Sequence, residues 1–404
     1  MVTMLISLYI WSVGWPLAPQ DSTHAIGNNY GEFLEIYGQI VLHQGIDVMS
    51  DTSGRPVYAV ADGYVKNWFS SGGPQYYGLA IGDEYGTDSC DGYYYWHLDS
   101  TMYHLNPGDT CHAGELIGYV VPWFDTGQPV RFHHLHFCRI RSAYQWYYAQ
   151  LKQNPLAIVS PNTDTIPPEF EDAIGSDRFA FCRDNTSEYL DPDSLTGDVD
   201  IIALIHDQTG DTTAWPAWNR LIPYKIEYRM HGPDTIPTTR FMEFSGVLNY
   251  DPQSAVTIYK NDTVCDSRGD FDFRDFYFII TNTDGDSLIE LSDTVGCWQT
   301  ELYQDGPYWV VVTAYDIYGN AQSDSMQVTL QNGTVVEERP IVKQIEKQAN
   351  LGATIFSGPL QLPKDKTCKV FDVTGRVVAP DKIKPGIYFV EVDGKITRKV
   401  VKVR

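Results

Sequence analysis

Basic residues are scarce in this sequence. Its 404 residues contain 29 Lys and Arg against 52 Asp and Glu, which gives a formal net charge of −23. Nucleic acids and anionic lipid surfaces are bound through clustered Lys and Arg side chains. The composition therefore argues against a nucleic-acid partner and against a partner that is an anionic membrane.

Long apolar runs are also lacking. The most sustained run, from Leu5 to Ala18, is too short for a membrane-spanning helix and is interrupted by glycine and proline. We therefore expect no transmembrane segment and interpret residues 1–14 as the remnant of a secretory signal peptide. The sequence departs from an ordinary signal in one respect, because no Lys or Arg precedes Arg55.

Closely spaced cysteines are missing as well. The seven cysteines contain no C-x-x-C pair, which excludes a zinc ribbon and a thioredoxin-like redox site. The scatter suits an exported protein with a few disulfides and an unpaired thiol. We expect one disulfide between Cys265 and Cys297 and another within the set Cys90, Cys111 and Cys138.

Histidines, in contrast, are concentrated in one part of the chain. Eight of the ten lie between His24 and His136. Because successive side chains of a strand point to opposite faces, His134 and His136 share one face of a predicted strand. Two imidazoles would then project into one place, unless this is an ordinary surface strand that carries histidines by chance.

A second group of donors lies upstream. His43 and Asp47 offer a nitrogen and an oxygen, with Gly45 between them to permit a tight backbone turn. Together with one of the pair His134 and His136 they give three protein ligands, the number in a catalytic zinc site that leaves its fourth position to water. A structural zinc would close all four positions.

Four separated motifs carry a resemblance to a known family. They are H-x-G-x-D at 43–47, G-x-P-V-x-A-x-x-D-G at 54–63, Y-x-H-L at 95–98 and H-L-H-F at 134–137. In this order they resemble the lysostaphin-type, or LytM-type, zinc metalloendopeptidases, which cut peptide crosslinks of bacterial peptidoglycan. The resemblance spans residues 15–160, which we assign as a zinc metalloendopeptidase domain.

The resemblance implies a role for each polar residue of the motifs. It makes His43, Asp47 and His136 the zinc ligands. It makes His97 and His134 the catalytic pair that handles the water proton and stabilises the oxyanion. Bound zinc would polarise the scissile carbonyl and lower the pKa of its water to about 7.

Cys138 departs from the family pattern, because an acidic residue often follows H-L-H-F. It is predicted on the same strand face as His134 and His136. A thiolate at this position could be a fourth ligand, which would make the metal structural. A disulfide or a buried thiol is the other interpretation.

The predicted fold is mostly β. Residues 15–160 alternate short strands with glycine turns, which predicts an antiparallel sheet with its site in a groove across one face. One helix is predicted from Ser142 to Gln153. Tyr93 and Tyr95 are expected to share a face with His97, either as a wall of the groove or as ordinary sheet aromatics.

Two further modules are predicted beyond this domain. Regularly spaced strands in residues 161–334, with Ala255–Lys260 among them, predict an immunoglobulin-like or fibronectin-type β-sandwich. After a charged linker at 335–349, residues 350–404 contain D-x-x-G-R at 372–376, P-G-I-Y at 385–388 and a basic, β-branched terminal strand. We expect them to form a small C-terminal β-sandwich, and the motifs resemble the sorting domain of the type IX secretion system. The resemblance implies an outer-membrane translocon as partner, and a simple β-cap is the alternative.

These observations lead to one expected function and two alternatives. We expect a secreted or surface-attached zinc metalloendopeptidase that cuts peptidoglycan stem or cross-bridge peptides, or extracellular proteins. The first alternative is a catalytically silent module that binds the cell wall and regulates other hydrolases. The second is a surface adhesin whose main functional part is the predicted sandwich.

Overall fold

The structure is a computed structural model. It describes residues 12–402 apart from 37–38, 70–72, 88, 103–104, 124–131, 144–151, 211–218, 235, 237–239, 247, 249–251, 270–273, 286–287, 334–353, 357–359, 361, 363–366, 373–375, 381 and 393–394. Most of the predicted signal remnant and the whole predicted linker lie outside the described residues. The chain divides into two compact units, Met1–Gly333 and Thr334–Arg404.

The first part of the larger unit consists of short strands. They are β1 (Phe33–Ile36), β2 (Gln39–Leu42), β3 (Ile46–Ser50), β4 (Pro56–Tyr58), β5 (Gly63–Phe69), β6 (Gly78–Gly82), β7 (Cys90–Trp96), β8 (Thr110–Cys111), β9 (Leu116–Tyr119), β10 (His133–Ala143) and β11 (Lys152–Gln153). The main sheet has the order β11-β10-β7-β6-β5-β8, with β3 also paired to β10, and every pairing is antiparallel. This arrangement confirms the predicted antiparallel fold class and places the histidine-bearing strand in the middle of the sheet.

The remainder of the larger unit holds two large sheets and one two-stranded sheet. Its elements are β12 (Glu169–Glu171), β13 (Phe179–Arg183), β14 (Asp198–His206), β15 (Lys225–His231), β16 (Arg240–Glu243), α1 (Pro252–Ile258), β17 (Arg268–Gly269), β18 (Arg274–Asp275), β19 (Tyr277–Ile279), β20 (Trp298–Gln299), β21 (Gly306–Tyr315) and β22 (Ala321–Leu330). One sheet is built on β14, which pairs with β12, β13, β19 and β20, and the other has the order β16-β15-β21-β22. Both sheets contribute to one hydrophobic core, which they share with the first part of the chain. We call this part, residues 161–333, the middle module.

The predicted strand at Ala255–Lys260 is wrong, because most of it belongs to α1. In this stretch Ser254, Ala255, Thr257 and Ile258 are buried and Val256 is exposed. This is the burial pattern of a helix face, whereas a half-buried strand would alternate. A short β-branched run does not distinguish the two from sequence.

The predicted helix from Ser142 to Gln153 is also wrong at both of its ends. Ser142 is still in β10, and Lys152 pairs across from Ile140 as part of β11. The intervening residues 144–151 lie outside the described residues. Antiparallel pairing with β10 satisfies the backbone groups that the prediction assigned to a helix.

The expected disulfides are not formed, since all seven cysteines are free thiols. Cys265 is buried in a small apolar cluster with Cys182, and Cys297 is not part of that cluster. Cys90 and Cys138 pack in a second cluster, whereas Cys111 belongs to the main core. Their different environments explain why spacing gave no usable guide to pairing.

The smaller unit holds a four-stranded sheet. It contains β23 (Thr354–Phe356), β24 (Cys368–Asp372), β25 (Gly386–Val392) and β26 (Lys395–Lys402) in the order β23-β26-β25-β24. The β23–β26 pair is parallel and the others are antiparallel. Nowhere in the described residues is there a helix with the length and apolar character to cross a membrane.

Candidate metal centre

Strand pairing brings two of the predicted ligands together. β3 and β10 run antiparallel, and Asp47 lies directly opposite His136 in their register. Directly opposed residues of an antiparallel pair project from the same face, so the carboxylate and the imidazole lie side by side. His43 precedes β3 and is connected to it through Gly45, whose α-carbon faces the His136 ring. A Cβ at Gly45 would come within 2.8 Å of His136 Nε2, so only glycine fits without a shift.

The three candidate ligand atoms form a compact triangle. His136 Nδ1 lies 2.8 Å from His43 Nε2 and 2.9 Å from Asp47 Oδ1. The third distance, from His43 Nε2 to Asp47 Oδ1, is 3.3 Å. A tetrahedral zinc with ordinary bond lengths sets its ligands about 3.3 Å apart. Among the described residues, these three side chains form a group of His, Cys, Asp or Glu residues whose ligand atoms all lie within 4.8 Å of one another. The residues therefore fit a zinc ion.

A short stretch before β1 orients these ligands, and we call residues 27–32 the backing segment. The Asn29 carbonyl accepts a hydrogen bond from His43 Nδ1 at 2.9 Å, which leaves Nε2 with a lone pair for a metal. The backbone N–H of Asp47 donates to Asn28 O, and its carbonyl accepts from the Gly27 N–H. The backbone of His43 exchanges hydrogen bonds with Gly31 and Glu32 in the same way.

The two predicted catalytic histidines lie together beside this triangle. The ring centroids of His97 and His134 are 4.5 Å apart. His97 Nδ1 donates to the Gln75 carbonyl at 2.7 Å, and His134 Nδ1 donates to the Phe132 carbonyl at 3.1 Å. Each ring is thereby held in the tautomer that leaves Nε2 unprotonated, and His134 Nε2 lies 3.8 Å from Asp47 Oδ2.

The expectation that Tyr93 and Tyr95 share a face with His97 is wrong. Tyr95 is fully buried and Tyr93 is stacked on Phe137, so both lie on the core side of the sheet. His97 follows the last residue of β7 with a φ of 69°, in the left-handed region. This backbone conformation interrupts the strand alternation and turns the His97 ring to the face that carries His134 and His136.

Burial and neighbouring charges set the ionisation of the cluster. Burial lowers the pKa of His134 to about 3 and that of His136 to about 3, and it also lowers the pKa of His97. Burial alone would raise the pKa of Asp47, but the adjacent imidazoles of His43 and His134 and the hydrogen bond from His136 hold it well below its usual value. Burial opposes the charged form of His43 as well, but the Asp47 carboxylate raises the pKa of His43. The site therefore presents an ionised carboxylate beside the neutral imidazoles of His97, His134 and His136, and ionised carboxylates and neutral imidazoles are the forms that bind a divalent metal.

Sequence reasoning missed an aromatic residue that contacts both catalytic histidines. The Trp123 ring lies 4.6 Å from His97 and 4.8 Å from His134 between ring centroids. Phe132 stacks on His134 at 3.9 Å. These contacts restrict both imidazole rings. No quoted motif contains Trp123, and its only signal was a tryptophan in the loop between two motifs.

Cys138 contacts the ring nitrogen of His136 that is not part of the metal triangle. Its Sγ lies 3.1 Å from His136 Nε2, while His136 Nδ1 faces His43 and Asp47. The thiol is almost fully buried, and burial raises its pKa to about 12. The geometry makes Cys138 a neighbour of a ligand on the side away from the other two donors.

Comparison with known proteins agrees with this arrangement. Residues 41–148 match the model of Peptidase family M23, and this span contains all five residues of the candidate site. The match supports a peptidase domain in this part of the chain. A comparison with the curated proteins gives no match.

Several solved structures are similar to part of this chain. The catalytic domain of the antimicrobial peptidase lysostaphin from Staphylococcus simulans is 25% identical, over 33% of this chain and 90% of that chain, with a TM-score of 0.26. A zinc containing peptidase from Vibrio cholerae is 23% identical, over 32% of this chain and 36% of that chain, with a TM-score of 0.25. A putative glycyl-glycine endopeptidase lytM from Ruminococcus gnavus is 28% identical, over 24% of this chain and 39% of that chain, with a TM-score of 0.19.

Proposed function

We propose that this protein is a zinc metalloendopeptidase that hydrolyses peptide bonds by means of an activated water. The observation that carries the proposal is the triangle of His43 Nε2, Asp47 Oδ1 and His136 Nδ1, with sides of 2.8 to 3.3 Å, beside the pair His97 and His134. Three protein ligands leave one position for water or substrate, as catalytic zinc sites require. The Peptidase family M23 match supports the same reaction class.

Three residues of the site would bind the metal and two would transfer protons. His43, Asp47 and His136 would hold the ion, and the chemistry that zinc supplies is polarisation of the scissile carbonyl and a water with a pKa of about 7. His97 and His134 both have lowered pKa values and unprotonated Nε2 atoms near the triangle. One accepts the water proton, and the protonated ring then donates to the developing oxyanion or to the leaving nitrogen.

The substrate we propose is peptidoglycan, cut in its stem or cross-bridge peptides, and extracellular protein is the alternative substrate. The four family motifs support the first choice. For location, we propose export to the cell surface or the medium, with the C-terminal unit as a signal read by a type IX translocon. The basic, β-branched strand β26 and the P-G-I-Y sequence at the start of β25 support this reading. Of the motif D-x-x-G-R, residues 373–375 lie outside the described residues.

One experiment tests both the reaction and the substrate. The purified chain is analysed for metal and then incubated with defined muropeptides and with casein, and the products are identified by mass spectrometry. We expect one zinc per chain, chelator-sensitive cleavage of muropeptides, and loss of both zinc and cleavage in His136→Ala. Wall binding without cleavage would support the regulatory alternative, and full zinc occupancy in His136→Ala would show that the ligand assignment is wrong.

A further inference from the structure

A single buried arginine from the middle module reaches the region behind the metal ligands. Arg274 Nη1 donates to the Gly27 carbonyl, and Nη2 lies 2.5 Å from Glu32 Oε2. Gly27 and Glu32 are the two ends of the backing segment. Arg274 therefore binds both ends of the stretch that orients His43 and Asp47, although it is separated from Glu32 by 242 residues.

The backing segment has a direct mechanical connection to both ligands. It hydrogen-bonds the backbone N–H and the carbonyl of His43, the backbone N–H and the carbonyl of Asp47, and Nδ1 of the His43 ring. Asn28 Nδ2 also donates to Glu32 Oε2 at 2.9 Å, so the carboxylate closes the segment on itself. A shift of the segment would move both ligands together and would change the tautomer and tilt of the His43 ring.

The arginine is itself held firmly by the middle module. Its carbonyl accepts a hydrogen bond from Arg220 Nε at 2.7 Å, and β18 pairs with β17. β17 approaches the first part of the chain closely, because a Cβ at Gly269 would lie 1.9 Å from the Phe33 carbonyl oxygen. The guanidinium also lies 5.8 Å from the centre of the Phe276 ring.

Other contacts of the middle module reinforce the same segment. The Tyr259 hydroxyl donates to the Gly31 carbonyl at 2.7 Å, and Asn29 Nδ2 donates to the Ile222 carbonyl at 3.1 Å. The Tyr30 hydroxyl accepts a hydrogen bond from the Leu248 N–H at 3.2 Å. The backing segment is thus enclosed by residues that the predicted peptidase domain, residues 15–160, does not contain.

Burying the charges of Arg274 and Glu32 costs desolvation free energy, so the pair is expected to serve a purpose other than stability. Glu32 is 0% exposed and Arg274 is 3% exposed. Buried ion pairs contribute little net stability compared with apolar residues of similar shape, but loss of one partner strands the other charge. Such a pair can instead impose one geometry on the parts it joins. Here those parts are the two modules and the ligands that the backing segment carries.

We propose that Arg274 is a positioning residue of the metal centre, so that the middle module completes the site from behind. The inference rests on the proposed function in that the His43, Asp47 and His136 set is taken to bind zinc. It goes beyond that function because it assigns the middle module a part in the metal site. A chain cut after residue 160 would lack Arg274 and the other contacts that the middle module makes with the backing segment.

The test uses the full chain and three variants of the pair. Arg274→Met removes the charge, Arg274→Lys keeps the charge but loses the two-pronged geometry, and the double variant Arg274→Met/Glu32→Gln leaves no unpaired charge. Arg178→Met is the matched control, since Arg178 also pairs with aspartates of the middle module but is 30% exposed. Zinc affinity is measured by chelator competition, and hydrogen exchange is measured on the metal-free proteins.

The expected results follow from the contacts. Arg274→Met and the double variant should bind zinc about 10–100-fold more weakly than the parent chain, as is typical when the support of a ligand is removed. Arg274→Lys should lie between them and the parent, and Arg178→Met should match the parent. In the metal-free protein the amides of His43 and Asp47, which donate to Glu32 O and Asn28 O, should exchange faster in the same order.

Two outcomes separate this inference from the proposed function. If the parent chain binds no zinc, the proposed function fails, while faster exchange of the two amides in the double variant would still support the positioning role. If the parent chain binds zinc, and the folded double variant retains parental affinity and parental exchange, the positioning role is overturned and the proposed function stands. Should Arg274→Met fail to fold, the double variant, which carries no stranded charge, gives the decisive measurement.

Discussion

Two aspartates of the larger unit are equally buried and have opposite electrostatic surroundings. Asp47, in the metal centre, and Asp207, in the middle module, are each 4% exposed. Imidazoles surround Asp47 and hold its pKa well below the usual value. Asp207 is near Asp316 and Asp164, and burial together with these two carboxylates raises its pKa well above the usual value. Its Oδ1 has no hydrogen-bond partner among the described residues.

The difference shows that burial alone does not decide the charge of a carboxyl group. Desolvation favours the neutral acid at both positions, and only neighbours that can bear positive charge or donate hydrogen bonds reverse it. At Asp47 three histidines do so, and the same donors fit a metal cation. At Asp207 the neighbours are acids, so ionisation costs free energy in the folded state.

The largest effect is expected at Asp47. Asp47→Asn keeps the shape of the side chain but removes the negative charge and one ligand oxygen, so the chain should no longer hold stoichiometric zinc and should lose detectable hydrolysis. Metal analysis after dialysis and a muropeptide digestion measure both losses. Asp51→Asn is the matched control, because Asp51 is an exposed aspartate on the same stretch. Zinc retained by Asp47→Asn at the parental level would remove Asp47 from the ligand set.

The next effect concerns a neighbour of Asp47 that is not a ligand. His134→Ala should keep zinc, since the triangle does not include His134, but should lower kcat by about 10²–10⁴-fold as expected for a proton-transferring residue. His112→Ala is the control, because the His112 side chain is 74% exposed. Steady-state kinetics and metal analysis are run on both variants. Unchanged kcat in His134→Ala would exclude it from the chemistry.

The five candidate site residues could be predicted because they lie in short motifs with fixed spacing. Strand alternation then placed His134 and His136 on one face, as the structure shows. Alternation failed at His97, where a single left-handed residue turns the ring over. It also failed to find α1, since a short apolar run suits a helix or a strand equally well.

The residues that hold the candidate ligands and catalytic histidines in place could not be predicted from sequence. Arg274 contacts Glu32 across more than half of the chain, and neither residue belongs to a motif. Trp123 lies outside the strands, so no periodic pattern places it. Contacts of this kind depend on how modules pack, whereas local patterns report only on neighbours in sequence.

A smaller effect, of opposite sign, is expected at Asp207. Because its pKa is raised in the folded state, the native chain holds this proton more tightly than the unfolded chain, so the stability contribution falls as the pH rises above about 4. Asp207→Asn removes that cost and should raise Tm by about 2–4 °C at pH 7. The gain should disappear at pH 4, where Asp207 is protonated in the parent. Thermal unfolding at both pH values measures this, with the exposed Asp21→Asn as control. A lower Tm at pH 7 would show that ionised Asp207 is stabilised by a partner.

The smallest effect is expected at Cys138, and it tests whether this thiol is a metal ligand. Its Sγ faces His136 Nε2, whereas the atoms of the triangle face His136 Nδ1, so the thiol is a support of one ligand and not a ligand itself. Cys138→Ser should therefore keep one zinc per chain, with an affinity within about tenfold of the parent. Chelator competition and metal analysis measure this, and Cys90→Ser, another buried thiol, is the control. If Cys138→Ser loses stoichiometric zinc, the sulfur is a fourth ligand and the site has no open position for water. The residues around Asp47 would then form a structural cluster, as those around Asp207 do.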